Sequence, residues 1–404
     1  MCSLSCPELT RVGQPERAMA SQRQLAALSA LVATYFAHVG FFNPFLPLWL
    51  KDMGLSLVAI SVLVSLQSAS RLIAPYGWGW LSDHTGRRTL LLRYGASASL
   101  LLSLGLWWDG GFFWLFAVLL LLFGHTSGMM PMSEAVLIKI VSQSGEFDTR
   151  RYGRVRVFGS VGFLVTVIAA GWWFETYGMQ HFPLVTMLTI SAVAVSAWCL
   201  PSVKEPVVAQ ADKQSVWPLL RQRSAQLFFG SAFFHVLAHI GVYAFFSLYL
   251  DSLGYSKTTI GLLWALSVLV EVGWFFTQSR WLPRLRLTGW LVACAAVMAL
   301  RMVMTAGAAD QLWVLMLAQC MHAVTFATHH TVCMAWLSQK FSGQLLGRGQ
   351  ALYTVIAYGL PGVLGGLVGG VVSSRWGLES VFWLSVPVSV LSALLAWGAW
   401  RTDR

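Results

Sequence analysis

The sequence predicts an all-α polytopic membrane protein, twelve transmembrane helices arranged as two pseudo-symmetric halves of six. Three observations predict it. Of 404 residues, 57% are hydrophobic and only 11% charged, against roughly 25% charged in a soluble domain. Apolar runs of about 20 residues, enough to cross a hydrocarbon layer ~30 Å thick, recur along the whole chain. Part of the first half also returns at a fixed offset: Leu48, Leu50, Gly54, Ser56, Ile60, Leu63 and Leu66 reappear as Leu248, Leu250, Gly254, Ser256, Ile260, Leu263 and Leu266. Short strands in alternating pattern are absent, which excludes a β-barrel.

Taken in order, residues 1–22 are polar, hold no apolar core of signal-peptide length, and read as a cytoplasmic tail with Met19 as an alternative start. Punctuation by Gly, Pro and charge then places spans near 24–50, 56–80, 89–108, 112–138, 155–174 and 181–200. After them comes the longest polar interval between spans, Pro201 to Arg223. A second set follows near 226–250, 257–279, 287–307, 311–337, 349–373 and 379–400. The chain thus divides into a bundle at 23–200, a linker at 201–223, a bundle at 224–400 and a cytoplasmic end at 401–404. The eleventh span is rich in glycine (Gly359 to Gly370) around Pro361, a composition for close packing and bending.

Charge sets the orientation. With both termini in the cytoplasm, only Lys51, Lys257 and Arg375 of the 27 Lys and Arg face outward, and Arg71 and Arg301 lie within spans. The opposite orientation reverses the bias and is rejected by the positive-inside rule. The same distribution accounts for the net charge of +11. Basic residues sit in short loops between apolar runs rather than on one face, so no nucleic-acid partner is expected. The six cysteines are scattered, with neither a disulfide framework nor metal-ligand spacing. No nucleotide-binding loop, catalytic domain or cofactor motif is present, so an enzyme is not expected, no cofactor is implied, and an ion gradient must drive any uphill step.

A second echo joins Tyr152-Gly-Arg154-Val-Arg156 with Leu346-Gly-Arg348-Gly-Gln350, each opening the fifth span of its half. Parallel halves related by an axis along the membrane normal place a binding site between them near the midplane. Gly79-x-x-x-Asp83-x-x-Gly86-Arg87-Arg88, between the second and third spans, resembles the signature loop of the major facilitator superfamily, with His84 standing where that family usually has Arg or Lys. Within it, Tyr152 to Ser160, Gly261-Leu-Leu-Trp264 with Glu271, and His322 to His330 resemble the 3-phenylpropionate permease group and its lactose-permease-like and nucleoside–proton symporter-like relatives. The resemblance implies a secondary transporter working by alternating access, a monomer in the bilayer of the cell's inner (plasma) membrane, with a small molecule and protons as its partners. It also implies a cytoplasmic gate at Gly79, Asp83, Gly86, Arg87 and Arg88, with Asp83 directed to helix N-termini or to Arg154 and Arg156.

Four ionisable residues of fixed-charge type lie inside spans: Arg71, Glu134, Glu271 and Arg301. A charge at mid-membrane costs a few kcal/mol and is usually functional or paired. Arg71 falls on Glu271 at the repeat offset. Glu271, nine residues from Arg280, stands about 13 Å from its helix end at 1.5 Å per residue. Facing a cavity, it could alternate between protonated and ionised forms; a structural ion pair is the competing reading. Glu271, Arg301 and His322 occupy the eighth, ninth and tenth spans, as the coupling cluster of lactose-permease-like proteins does. That family's carboxylate three residues after the histidine is Thr325 here. Glu271, His322 and Glu134 are therefore the expected proton-coupling residues.

His38, His125, His235, His239, His322, His329 and His330 lie on the first, fourth, seventh and tenth spans, which line the cavity in this superfamily. Without acidic or thiolate partners near them, no metal site is expected, and neutral hydrogen bonding to a polar substrate group suits them better. Arg71, Arg301, His239, Tyr35, Tyr243 and Phe326 form the expected substrate set, the arginines for a carboxylate and the rings for an aromatic group. The expected activity is proton symport of a small organic acid, phenylpropionate-like if aromatic. The alternatives are a nucleoside or sugar symporter, a drug/proton antiporter, and a membrane sensor on the same scaffold.

Overall fold

The computed structural model describes residues 14–142, 148–201, 215–341 and 345–402. The expected tail and linker therefore fall partly outside the described residues. Among those described, twelve helices are long and apolar enough to cross a membrane. In the first half these are α1 (Gln22–Asp52), α2 (Leu57–Thr85), α3 (Arg88–Trp107), α4 (Gly111–Val141), α5 (Arg150–Tyr177) and α6 (Met179–Trp198). In the second they are α7 (Arg223–Ser252), α8 (Lys257–Arg280), α9 (Leu287–Gly307), α10 (Leu312–Lys340), α11 (Leu345–Trp376) and α12 (Glu379–Thr402). A bilayer leaves little choice: with no water to satisfy backbone groups, apolar runs of this length become helices.

The repeat holds at the level of individual atoms. Between α1 and α2, Gly54 takes a φ of 80°, and between α7 and α8 Gly254 takes 84°, a left-handed turn that favours glycine. Two residues on, Ser56 caps α2 by accepting from the Ala59 amide, and Ser256 caps α8 by accepting from the Thr259 amide. Each satisfies an amide that the first helical turn leaves open.

Several boundaries differ from expectation. The segment Gly79 to Thr85 is helical, because nothing before Gly86 interrupts α2, and Gly86 closes it as a left-handed cap on the Ser82 carbonyl. The turn to α3 is thus only two residues, Gly86 and Arg87. Three cavity-side helices carry π turns, at Gly241–Phe245 in α7, Ala323–Thr328 in α10 and Thr354–Gly359 in α11. The last lies just before Pro361, which lacks the amide hydrogen that would bond the Ala357 carbonyl in an unbroken α-helix.

Within each half the helices pack closely, α1 against α5 and α6, and α12 against α7 and α9. The halves meet along three helix pairs. Lys51 at the end of α1 bonds Asp251 at the end of α7 at 2.7 Å, its equivalent in the repeat. On α5 and α8, Gly171 and Gly261 abut, and the Lys257 amide donates to Glu175 at 2.6 Å. On α2 and α11, Ser61, Ser65 and Ser68 face Gly370, Gly366 and Gly362, and a Cβ on any of these glycines would collide with its serine. The α1–α7 and α5–α8 contacts lie at the end of the bundle holding the 52–57 and 252–257 turns, the joined end. By contrast, α2 and α11 stay in contact from Ser61 and Gly370 there to the Tyr76 hydroxyl, which donates to the Ala351 carbonyl at 2.9 Å toward the other end. At the other end, ion pairs such as Asp83–Arg88, Asp148–Arg151 and Glu134–Arg156 stay within the first half.

Candidate functional site

The polar interior is concentrated in the second half. Arg301 of α9 is 1% exposed, yet it touches four acceptors. Its Nη2 donates to Gln319 Oε1 at 2.7 Å, and its Nη1 lies 3.0 Å from Thr325 Oγ1 and 3.3 Å from both His239 Nε2 and His322 Nδ1. His322 Nε2 in turn reaches Glu271 Oε2 at 3.3 Å. Helical spacing explains the convergence: Gln319, His322 and Thr325 stand three residues apart on one face of α10, opposite α9.

Proton positions follow from these partners. A guanidinium only donates, so an Nδ1 bonded to Arg301 carries no hydrogen, and the single proton of neutral His322 rests on Nε2, pointed at Glu271. His322 thereby links the buried cation to the carboxylate. The Arg301 Nη1 has two hydrogens for three acceptors, so one acceptor is always left over.

Flat rings extend this cluster along the helices. His239 stacks on Tyr243 at 4.6 Å between centroids, and His322 on Phe326 at 5.0 Å. Phe326 lies parallel to His330, 6.2 Å away, and the Tyr358 hydroxyl is 3.4 Å from His330 Nδ1. His235, His239, Tyr243, Thr325, Phe326, His329 and Tyr358 line a narrow recess that is closed down in this conformation.

Across the seam stands Arg71 of α2. It is exposed, has no hydrogen-bond or ion-pair partner among the described residues, and lies within electrostatic reach of Tyr35, Tyr243 and Tyr358. The structure thus brings together Glu271, His322, Arg301, His239, Tyr243 and Phe326, and sets Arg71 and Tyr35 opposite them. Tyr35 also places its hydroxyl 3.4 Å from the Thr126 carbonyl.

Other expected residues lie elsewhere. Glu134 belongs to a separate cluster in the first half, bonded by the Tyr152 hydroxyl and by Arg156 Nη1 at 3.1 Å. Asp83 pairs with Arg88 at 3.0 Å rather than with Arg154 or Arg156. Arg88 also donates to Ser82 Oγ, while Arg87 and Arg154 are exposed. Gly79 sits inside the last turns of α2. His38 is packed against Phe41 and Phe42 and contacts Thr189, and His125 is turned toward Trp78 and Tyr94. Among the described residues, no group of three or more His, Cys, Asp and Glu could hold a metal ion. Gln319 and Tyr358 were not singled out from sequence. Gln319 carries a readable signal, since it precedes His322 by three residues and a buried arginine needs acceptors.

The model of the MFS_1 like family matches residues 25–386. The chain belongs to that family. It is a secondary transporter of the major facilitator type, not an enzyme. A probable 3-phenylpropionic acid transporter of Escherichia coli K12 is 26% identical over 369 residues, 90% of this chain and 94% of that one. A maltose permease of Geobacillus stearothermophilus is also 26% identical, over 86% of this chain and 87% of its own. Among solved structures, the nucleoside transporter NupG (D323A mutant) superposes with a TM-score of 0.81 at 16% identity, covering 93% of this chain and 99% of that one. At that identity the likeness speaks for the fold alone.

Proposed function

We propose that the protein is a proton-coupled symporter of a small organic anion, in an inner (plasma) membrane with both termini in the cytoplasm. The observation that carries this reading is Arg71: an unpaired guanidinium at the seam between the halves, opposite a carboxylate–histidine–arginine chain. A cation at membrane depth without a partner is costly, and an anionic substrate relieves that cost. The phenylpropionic acid relative supports an organic acid as the class.

Charge balance supplies the coupling. Around the cavity Arg71 and Arg301 are cationic and Glu271 anionic, a net charge of one positive. Protonating Glu271 leaves Arg301 without its counter-charge and raises the site to two positive, which draws in the anion. Proton plus anion restores the original net charge. The empty and fully loaded carriers therefore match electrostatically, whereas the half-loaded ones differ, so the halves rock most readily when both ligands are present or both absent. Arg301, saturated by protein acceptors, holds the relay; Arg71 takes the carboxylate.

The positive-inside orientation puts the α1–α7 and α5–α8 contacts on the outside, which supports reading this as an arrangement closed to the outside. The test is uptake into proteoliposomes under an imposed inward proton gradient. Labelled 3-phenylpropionate should accumulate, and Arg71→Gln should weaken its half-saturation by at least tenfold. Gradient-independent uptake, or equal loss by Arg71→Gln for maltose and for the acid, would overturn the proposal.

A further inference from the structure

His235 lies on α7, one helical turn below His239, and is 1% exposed. Its Nε2 sits 2.6 Å from the Thr325 carbonyl, within the π turn of α10 whose shifted register turns that carbonyl toward α7. A carbonyl only accepts, so the proton of the neutral ring is on Nε2, and Nδ1 is left as a bare acceptor. That Nδ1 is fully buried and has no partner. The ring stacked on His235, His329 at 3.7 Å and 9°, cannot supply one, because its N–H bonds lie in a plane parallel to that of His235. A buried acceptor without a donor is unfavourable, and this one borders the narrow recess.

We propose that His235 Nδ1 is a specificity subsite that selects an elongated acid bearing a hydrogen-bond donor, such as a phenolic hydroxyl, at the end remote from its carboxylate. The inference rests on the reading of Arg71 as the carboxylate site. Tyr243 and Tyr358 line the recess with His235 and lie within electrostatic reach of Arg71, so Arg71 stands on the tyrosine side of the recess. His235 and Tyr243 are eight residues apart on α7, about 12 Å along the axis. A three-carbon acid on a para-substituted ring, hydrogen-bonded at both ends, spans that order of length. Between the ends, the rings of Tyr243, Phe326 and Tyr358 that line the recess form an aromatic wall for the substrate ring. A neutral acceptor also makes the site discriminating: a ring substituent that only accepts would face a lone pair.

The probes are 3-phenylpropionate, 3-(4-hydroxyphenyl)propionate and 3-(4-methoxyphenyl)propionate, and the readout is affinity by ligand-induced thermal stabilisation of the purified full-length protein. The hydroxylated acid should bind about tenfold tighter than either of the others, the size of one well-made hydrogen bond. In His235→Phe the ratio of hydroxylated to plain acid should fall toward one, and because the ratio is taken within each variant, any common loss cancels. Should that variant fail to fold, the ratio in the native protein decides by itself. Equal binding of the hydroxylated and plain acids, with Arg71→Gln weakening both, would overturn the subsite and leave anion transport standing. Preference for the methoxy acid would show Nδ1 to be a donor and overturn it too. No binding of any acid would remove both proposals together.

Discussion

In the proposed mechanism the titratable residue that decides coupling is Glu271. As a carboxylate it receives the His322 Nε2 proton at 3.3 Å; as an acid it no longer balances Arg301. Glu271→Gln fixes the neutral form with almost the same shape. We expect it to retain substrate binding and exchange while accumulation driven by a pH gradient falls at least a hundredfold, measured in proteoliposomes with and without the gradient. Accumulation at the native level would remove Glu271 from the mechanism. His322→Phe, which cuts the link between Arg301 and Glu271, should give the same loss of coupling and a lower melting temperature, because Glu271 then loses its hydrogen-bond donor. The relay residues were legible in the sequence: Glu271, Arg301 and His322 stand out because charge and imidazole are scarce in apolar spans. Their neighbours were less so. Whether Gln319 or Tyr358 faces the cavity depends on helix rotation. Lipid-facing and core-facing residues are both apolar, so periodicity does not report which way a membrane helix is turned. For the same reason Glu134, equally conspicuous in sequence, proved to sit with Tyr152 and Arg156, away from the relay.

At the scale of elements, the spans were readable to within a few residues, since length and hydropathy are what a bilayer selects. The π turns were not, because a one-residue shift in hydrogen-bond register leaves no mark on composition, although Pro361 hinted at the one in α11. The packing of α2 on α11 was half legible. The run of glycines announced a close approach; the serine partners Ser61, Ser65 and Ser68 became evident only in the fold. Their contact has a mechanical consequence. A side chain on Gly366 would displace Ser65 and push α2 away from α11 at the joined end, disfavouring the arrangement seen here. Gly366→Val should therefore shift the population toward the state open at that end. A cysteine placed at Ser61 should then be alkylated several-fold faster than in the parent, over the background of native thiols. An unchanged rate, in a variant whose melting temperature shows it folded, would mean that α2 and α11 do not part during the cycle.

For the whole molecule, the duplication does more than set the helix count. Lys51 and Asp251 occupy equivalent positions, so the pseudo-twofold axis brings them together wherever α1 and α7 converge, and a charge reversal between the copies turns what would be repulsion into a 2.7 Å bond. Lys257, 3.7 Å from the same carboxylate, and Glu175, which takes the Lys257 amide, extend the link from the α1–α7 pair to α5–α8. Rocking must break this network each time the joined end opens, so it has to be weak. Its groups are partly exposed, Lys51 at 43% and Asp251 at 22%, and such pairs are worth about 0.2–1 kcal/mol. A bond of that size biases the two-state balance by no more than about fivefold, enough to favour a resting state without trapping it. Lys51→Ala and Asp251→Ala should each raise the reactivity of a thiol at the joined end by about twofold to fivefold. The double variant should show less than the product of the two, because both remove one shared contact. Raising the salt concentration should shrink the difference between parent and variants, as screening weakens exposed pairs first. Strictly multiplicative effects, insensitive to salt, would show that the ends are held by the packing of Gly171 on Gly261 and of serine on glycine, with the charges as bystanders.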